Sequence, residues 1–330
     1  MKISFIIPVY NRPGETEELL QSLSRQTDRD FEVIIVEDGS TESSEAVVEG
    51  YRELLDISYF YKDNSGPGPS RNFGCEKAKG EYVIFLDSDC VLPEDYFRIV
   101  SASLEQDYAD AFGGPDRAHK DFSNFQKAIN FSMTSFFTTG GIRGGNEKME
   151  KFHPRSFNMG ISKKVYEATG GFSNMRFGED VDLSIRILEH GFRTRLIKDA
   201  FVYHKRRSNL RQFFKQVYNS GIARINLQLR HPGTLKLVHA APAVFTLGFI
   251  VLVLLSFLVS WYFVVPIFCH MLLLFLSAAK QNKSLSIGLL AVVTSYIQLF
   301  GYGLGFLSAF WRRMILGRDE YSAFNRNFYK

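Results

Sequence analysis

Residues 237–279 are 43 consecutive positions without a Lys, Arg, Asp or Glu, and they are rich in Leu, Val and Phe. About 20 apolar residues cross a bilayer as a helix. The run therefore accommodates two crossings joined by a tight turn near Ser260-Trp261, and at 43 residues it is long for the competing reading, a very apolar pair of core helices. The spans are expected at about 240–259 and 262–279, within a membrane region 237–311. Lys280 and Lys283 return to the side where the hairpin began. A further uncharged run, 284–311, contains Gly301, Gly303 and Gly305 and precedes Arg312, Arg313 and Arg318. It reads either as a third crossing at about 285–310, which puts the basic tail 312–330 on the far side, or as an interfacial or re-entrant segment.

The charge distribution agrees. The net charge is only +4, but no Asp or Glu occurs between Asp199 and Asp319, and eight Lys or Arg lie between Lys205 and Lys236. A basic stretch beside a membrane region faces lipid headgroups and predicts a cytoplasmic flank. That accounts for it without nucleic acid. Within the flank 206–236, the stretch Phe213 to Leu229 has the pattern of an amphipathic helix lying on the bilayer. The opening "MKISFIIPVYNRPGE" has too short an apolar run for a signal peptide and no cleavage site, so residues 1 to about 230 are expected in the cytoplasm. Cys75, Cys90 and Cys269 show neither pairing nor metal spacing and read as free thiols.

Residues 1–205 alternate strand and helix patterns. Apolar runs at 3–9, 31–36, 57–61 and 82–86 read as buried strands. Helical patterns at 15–25, at 41–55 with a cap at Ser40 or Thr41, and at 69–79 lie between them. The alternation predicts an α/β domain with a mainly parallel sheet and flanking helices, in which ligands bind at the carboxyl ends of the strands. Polar clusters fall there: Asn11-Arg12, Glu37-Asp38-Gly39 and Asp87-Ser88-Asp89. Neither a dinucleotide nor a Walker glycine loop is present. Asp87 and Asp89, two apart on an extended segment, address one point. Two such carboxylates call for a cation, and a hard divalent ion such as Mg2+ or Mn2+ commonly bridges phosphates. The competing reading is an ordinary turn and helix cap.

The motifs "PVYN" at 8–11, "VEDGS" at 36–40, "GPSRNFG" at 68–74, "FLDSD" at 85–89 and "FGEDVDLSIR" at 177–186 occur in that order. Together they resemble the family-two glycosyltransferases of the GT-A fold, over roughly residues 1–220. The resemblance implies a nucleotide-diphosphate sugar donor, a divalent metal and inversion at the anomeric carbon. Carried onto this chain, it puts Pro8, Tyr10 and Asn11 in the nucleotide pocket, Asp38 on the base or ribose and Arg71 near the nucleotide. Ser88, Asn158 and Glu179 complete the nucleotide-sugar set. Asp87 and Asp89 flank the metal, with His204 finishing its shell. Each has a plainer role beside it: Tyr10 in the core, Asp38 capping the helix at Thr41, Arg71 as a solvated charge and His204 as a structural histidine.

An inverting transfer is one displacement and needs a single general base. The resemblance assigns it to Asp180; the plainer reading is that Glu179 and Asp180 favour a helix N-terminus, and Asp182 reads either as a second carboxylate of the site or as a first-turn helix charge. Arg206, Arg207 and Arg211 suit either a diphosphate or the membrane surface. The Gly-rich stretch 138–150 suits a closing loop or a plain connection. The processive members carry a Gln-x-x-Arg-Trp motif, whereas "RQFFKQVYNSGIAR" has none, which implies addition of one or few sugars.

The expectation is thus a membrane-anchored glycosyltransferase of bacterial inner-membrane type, catalytic domain cytoplasmic. It takes a UDP-type sugar to a lipid-linked glycan or polyprenyl acceptor in cell-surface glycan synthesis. The alternatives are a polyprenyl-phosphate sugar transferase and a non-catalytic nucleotide-sugar-binding membrane protein.

Overall fold

The computed structural model describes residues 1–117, 122–139, 152–205, 209–321 and 323. The chain divides into two units, Met1–His119 with Met149–Lys205, and Lys120–Lys148 with Arg206–Phe328.

The first unit is built on strands whose apolar runs are buried on both faces. β1 (Ile3–Val9), β2 (Phe31–Asp38), β3 (Asp56–Lys62) and β4 (Tyr82–Leu86) are mutually parallel. They connect through α1 (Pro13–Ser24), α2 (Glu45–Glu49) and α3 (Pro67–Lys77). β5 (Cys90–Val91) and α4 (Tyr96–Gln106) lead to β6 (Ala111–Gly113) and β7 (Asp116–Arg117). The second unit inserts α5 (Asn124–Thr134) and α6 (Phe136–Thr139) at this point in the chain. The first unit resumes with β8 (Asn158–Ser162), α7 (Lys163–Thr169), α8 (Glu179–Glu189), β9 (Thr194–Leu196) and β10 (Val202–His204). The main sheet runs β3-β2-β1-β4-β8-β6-β9, and within it β8 alone is antiparallel. A small sheet runs β5-β10-β7.

Alternate side chains of β1 serve the two faces. Ile3, Phe5 and Ile7 pack with Leu19, Leu20 and Leu23 of α1 and Tyr96 and Phe97 of α4. Ile6 packs on the other face with Cys75 of α3 and Leu183 and Ile187 of α8. Burying such side chains contributes about 1.5–3 kcal/mol each, which fixes the register of every strand end.

Two expectations need correction. The helix expected over 41–55 is a single turn and a half, Glu45–Glu49. The amides that were to start it are taken elsewhere: Thr41 and Glu42 donate to Asn11 Oδ1 at 2.8 and 2.9 Å, and Ser44 donates to Glu37 Oε2 at 2.8 Å. The other helices shift by about a turn or less; α1 and α3 start two residues early, on Pro13 and Pro67, because proline suits a first helical position.

In the second unit, α9 (Leu210–Arg230) begins on the Asn209 cap, whose Oδ1 accepts the Gln212 amide. α10 (Leu237–Leu258) ends at the expected turn, and Ser260 caps a 3-10 turn, Trp261–Val264, that leads into α11 (Val265–Asn282). The run left open is also a helix, α12 (Leu285–Ala309), extended by a π-helical turn over Phe310–Ile315. Among the described residues, three helices are long and apolar enough to cross a membrane: Leu237–Leu258, Trp261–Asn282 and Leu285–Ile315. In the third, half of its apolar window is buried, against 11% and 17% in the others.

The glycines explain that burial. A Cβ on Gly305 would lie 2.0 Å from the Tyr218 carbonyl oxygen of α9, and one on Gly221 would lie 2.3 Å from the Tyr302 oxygen of α12. One on Gly303 would lie 2.5 Å from the Pro242 oxygen of α10. Small residues let helix backbones approach where lipid supplies no hydrophobic drive. Gly305→Leu is therefore expected to loosen α9 from α12, at a cost of about 1–3 kcal/mol or more from overpacking. Thermal unfolding in detergent reads this directly. Gly248→Leu, whose Cβ meets nothing within 4 Å, is the control expected to leave the transition in place.

Candidate active site

The polar residues expected on one rim lie at the carboxyl ends of β1, β2 and β4 and at the N-terminus of α8. Asp87 follows β4 directly. Asp87-Ser88-Asp89 is not extended, as the sequence suggested, but a tight turn closed by the Cys90 amide donating to the Asp87 carbonyl at 3.1 Å. The turn still brings both carboxylates to one partner. His204 pairs with Cys90 across the small sheet, and this register sets its Nε2 3.0 Å from Asp89 Oδ1 and 3.7 Å from Asp87 Oδ2. The ring stacks on Phe157 at 5.1 Å. Ser88 is buried within the turn.

Two oxygens and an imidazole nitrogen suit a hard divalent ion. Cis donors of an octahedral shell with bonds of about 2.1 Å stand about 3 Å apart, which matches the His204–Asp89 separation. Asp89, Cys90 and His204 also place ligand atoms within 4.8 Å of one another. Cys90 is the wrong member of that group. Its thiol donates to the Phe157 carbonyl at 3.5 Å, and burial, with the Asp89 and Asp87 charges, pushes its pKa well up, so it stays protonated. With Cys90 set aside, Asp89 and His204 are the donors that fit, and Asp87 Oδ2 lies 3.7 Å from the same imidazole nitrogen.

Arg71, on α3, is almost wholly buried and bridges Asp87 Oδ1 at 2.6 Å and Glu179 Oε1 at 3.2 Å. Its guanidinium also lies 5.2 Å from the Phe172 ring centroid. It is no solvated charge. Burial, reinforced by Asp180, pushes the Glu179 carboxyl up to about 7 despite Arg71. Asp180 is as buried, but Arg155 answers it: Nε donates to Oδ2 at 2.6 Å, and the Val181 amide donates to Oδ1 at 2.8 Å. Burial acts to raise this carboxyl, and Arg155 more than offsets it, so its pKa lies below the usual range. Asp182 is a structural group, locked by Arg186, which also holds the Thr169 and Gly171 carbonyls.

The other expected residues are placed as follows. Asn11 sits at φ 52° and caps the Thr41-Glu42 turn, the role the sequence offered to Asp38. Asp38 instead accepts the Ser65 and Gly66 amides at the start of α3, at 2.9 and 2.8 Å, and pairs with Lys62 at 2.6 Å. Pro8 and Tyr10 are half-buried at the end of β1. Asn158 pairs with Leu86, next to Asp87, but its side chain is engaged elsewhere. Its fully buried side chain accepts from Tyr96 Oη at 2.6 Å and donates to the Ala200 carbonyl at 2.8 Å. Arg206, Arg207 and most of the stretch 138–150 lie outside the described residues.

Sequence reasoning named Arg12 only within the Asn11-Arg12 cluster and gave no role to Lys62 and Arg155. Lys62 is legible in hindsight, since it faces Asp38 across the β2–β3 ladder. Arg12, whose Nη1 lies 2.5 Å from Asp89 Oδ2, adjoins the singled-out Asn11. Arg155 meets Asp180 across 25 positions with no periodic link, and nothing in the sequence marks it.

Residues 4–170 match the family described as Glycosyl transferase family 2, which is half of the chain. An uncharacterized glycosyltransferase of Rickettsia bellii is 46% identical over 88 residues, 27% of this chain and 13% of that protein. The chain thus spans only a small part of that relative's length. A Campylobacter jejuni protein, GalNAc(5)-diNAcBac-PP-undecaprenol beta-1,3-glucosyltransferase, is 33% identical over 115 residues, 34% of this chain and 37% of its own. A mannosyltransferase from Pyrobaculum calidifontis, solved with GDP-Man and Mn2+, superposes with a TM-score of 0.65 at 17% identity, over 89% of this chain and 86% of that one. At that identity the likeness is one of fold, the GT-A type.

The charge environment of Glu179 has a measurable consequence. A carboxyl raised from about 4.5 to about 7 in the fold stabilises it fully below the lower value, and the contribution is lost as pH rises through the higher one. The melting temperature of the native chain minus that of Glu179→Gln is expected to fall between pH 5 and pH 8, by the equivalent of a few kcal/mol at roughly 1.4 kcal/mol per unit. A flat difference would contradict the raised pKa.

Proposed function

The chain belongs to glycosyl transferase family 2, and from that premise we propose that it is an inverting glycosyltransferase moving a sugar from a nucleotide diphosphate to a lipid-linked acceptor. The observation that carries this reading is the convergence of Asp87, Asp89 and His204 beside the Arg71–Glu179–Asp180 array at the strand ends. A nucleotide pocket at this rim takes Pro8, Tyr10 and Asn11 at the end of β1, with Asp38 on the β2 flank and Ser88 on the β4 flank. UDP is the favoured nucleotide.

Asp87, Asp89 and His204 are the residues that would hold a Mg2+ or Mn2+ ion. Bound there, the ion supplies Lewis-acid neutralisation of the departing diphosphate, so no general acid is needed. The Arg71 guanidinium adds a fixed, dry positive charge beside Asp87 and needs no reorganisation as the diphosphate leaves. Asp180 takes the proton of the attacking hydroxyl. Its lowered pKa keeps it ionised at neutral pH, so it is ready to accept once the hydroxyl meets Oδ1 or displaces Arg155 from Oδ2. Glu179 keeps Arg71 in place and orients the donor side.

Three long apolar helices and the basic flank favour an acceptor that resides in the membrane, and the Campylobacter relative is named for an undecaprenol-linked one. Under this reading the catalytic unit is cytoplasmic and acts at the inner leaflet of a bacterial membrane.

Thermal shift of detergent-purified chain with UDP, GDP and dTDP, each with and without Mn2+, tests the donor side, since a ligand that binds only the folded state raises its stability. A Mn2+-dependent shift with one nucleotide, lost in Asp89→Ala, is expected. Asp180→Asn should keep that shift and lose turnover by about 10²–10⁴-fold. Undiminished turnover in the folded variant removes Asp180 from the reaction.

A further inference from the structure

We propose that Arg12 is a diphosphate-binding residue kept on Asp89: it neutralises that carboxylate while no divalent ion is bound and passes to the donor's diphosphate when one is. The inference rests on the donor-site reading above and adds a residue and an order of events to it.

Arg12 is carried to Asp89 by a backbone with no freedom. Asn11 stands at φ 52°, its Oδ1 accepts from the Thr41 and Glu42 amides, and its own amide donates to Ser40 Oγ at 2.7 Å. The Arg12 carbonyl accepts from the Thr16 amide at 3.0 Å and from Thr16 Oγ1 at 2.8 Å. What remains adjustable is the side chain. It places Nη1 2.5 Å from Asp89 Oδ2, while the other oxygen of that carboxylate lies 3.0 Å from His204 Nε2. One carboxylate is thus shared between a guanidinium and an imidazole.

The two arginines of the site differ in how they are held. The Arg71 side chain is 3% exposed and fixed between Asp87 and Glu179; that of Arg12 is 32% exposed and rests on Asp89. Arg71 has no room to leave, and Arg12 has solvent to move into. A guanidinium does not deprotonate in proteins, so it yields its place to a second cation only by moving. A divalent ion on Asp89 would stand within a few ångströms of Nη1, where like charges repel.

The local charges indicate where it goes. Asp87 and Asp89 carry two negative charges, and Arg12 and Arg71 carry two positive ones. A divalent ion alone would leave this set at +2. A nucleotide-diphosphate sugar brings two negative charges back. The planar fork of a displaced Arg12 matches a phosphate's oxygens, and its backbone holds it within a side chain's length of Asp89. Ion and diphosphate then bind as a coupled pair, each improving the other's affinity by the same factor.

The test is binding, measured on the full chain in detergent, because the proposal gives Arg12→Gln effects of opposite sign. Mn2+ alone, titrated by its EPR signal, is expected to bind severalfold more tightly in the variant, since a competitor for Asp89 is gone. UDP, titrated calorimetrically at saturating Mn2+, is expected to bind about tenfold or more weakly, since a charge-assisted contact is lost. Arg12→Lys should show the same two signs at smaller size, and it serves if Arg12→Gln does not fold. Weakening of both ligands, or unchanged Mn2+ affinity, overturns the proposal and leaves the donor site standing. Absence of Mn2+-dependent UDP binding in the native chain removes the donor site and this inference with it.

Discussion

The Arg71 guanidinium, buried between Asp87 and Glu179, ties together three parts of the chain that are distant in sequence. It comes from α3, Asp87 follows β4 and Glu179 starts α8. A buried charge without partners costs several kcal/mol, and removing one partner of a buried pair leaves the other exposed to that cost. The two carboxylates therefore hold Arg71 in place as firmly as it holds them. The stacked Phe172 face and the Asn72 contacts with Phe172 draw the loop before α8 onto the same helix. Asp180 inherits its position from this arrangement, because the N-terminus of α8 cannot shift without breaking the Glu179–Arg71 bond.

The small sheet has a comparable effect on the other side. β5 is only two residues long and follows directly on the Asp87–Asp89 turn. Its antiparallel pairing with β10 places His204 opposite Cys90, one residue from Asp89. A slip of one residue would send the imidazole to the opposite face. The Lys205 amide, which donates to the Asp89 carbonyl at 3.1 Å, fixes the register just beyond the histidine. The shared geometry of Asp87, Asp89 and His204 thus follows from the Asp87–Cys90 turn and the β5–β10 register and not from the extended Asp-x-Asp that the sequence suggested.

How much was legible follows from which interactions repeat along the chain. Strands buried on both faces are unbroken apolar runs and helical spacing recurs every three to four residues, so β1 to β4, α1, α3, α8 and α9 could be located within a few positions, and the parallel sheet followed. The uncharged runs were equally plain, and only the third needed coordinates. Its role as the helix packed against α9 and α10 rests on Gly221, Gly303 and Gly305, whose value lies in the backbone atoms they admit and not in any pattern. The shortened α2 was not legible, because Asn11, in the loop after β1, and Glu37 of β2 take its starting amides. Arg155 was not, because a single contact across 25 positions has no signature. Asn158 enters the expected site through the family resemblance, yet its side chain joins Tyr96 to Ala200.

The contrast between Glu179 and Asp180 bears on how a base works at this rim. Both are buried on one turn of helix, and like charges so close push their pKa values apart. The direction of the split is set by their partners. Arg71 is divided between Glu179 and Asp87, at 3.2 and 2.6 Å, whereas Arg155 is committed to Asp180 at 2.6 Å. Asp180 is therefore the carboxylate that stays charged, and Glu179 the one that keeps its proton longer. A base so stabilised is dependable in charge but weak in proton affinity. Under the proposed role, its strength rises at the moment an acceptor hydroxyl takes over the hydrogen bond from Arg155, because losing that cation removes the interaction that lowered its pKa. Proton transfer would then be favoured only with the acceptor seated, which disfavours spending the donor on water.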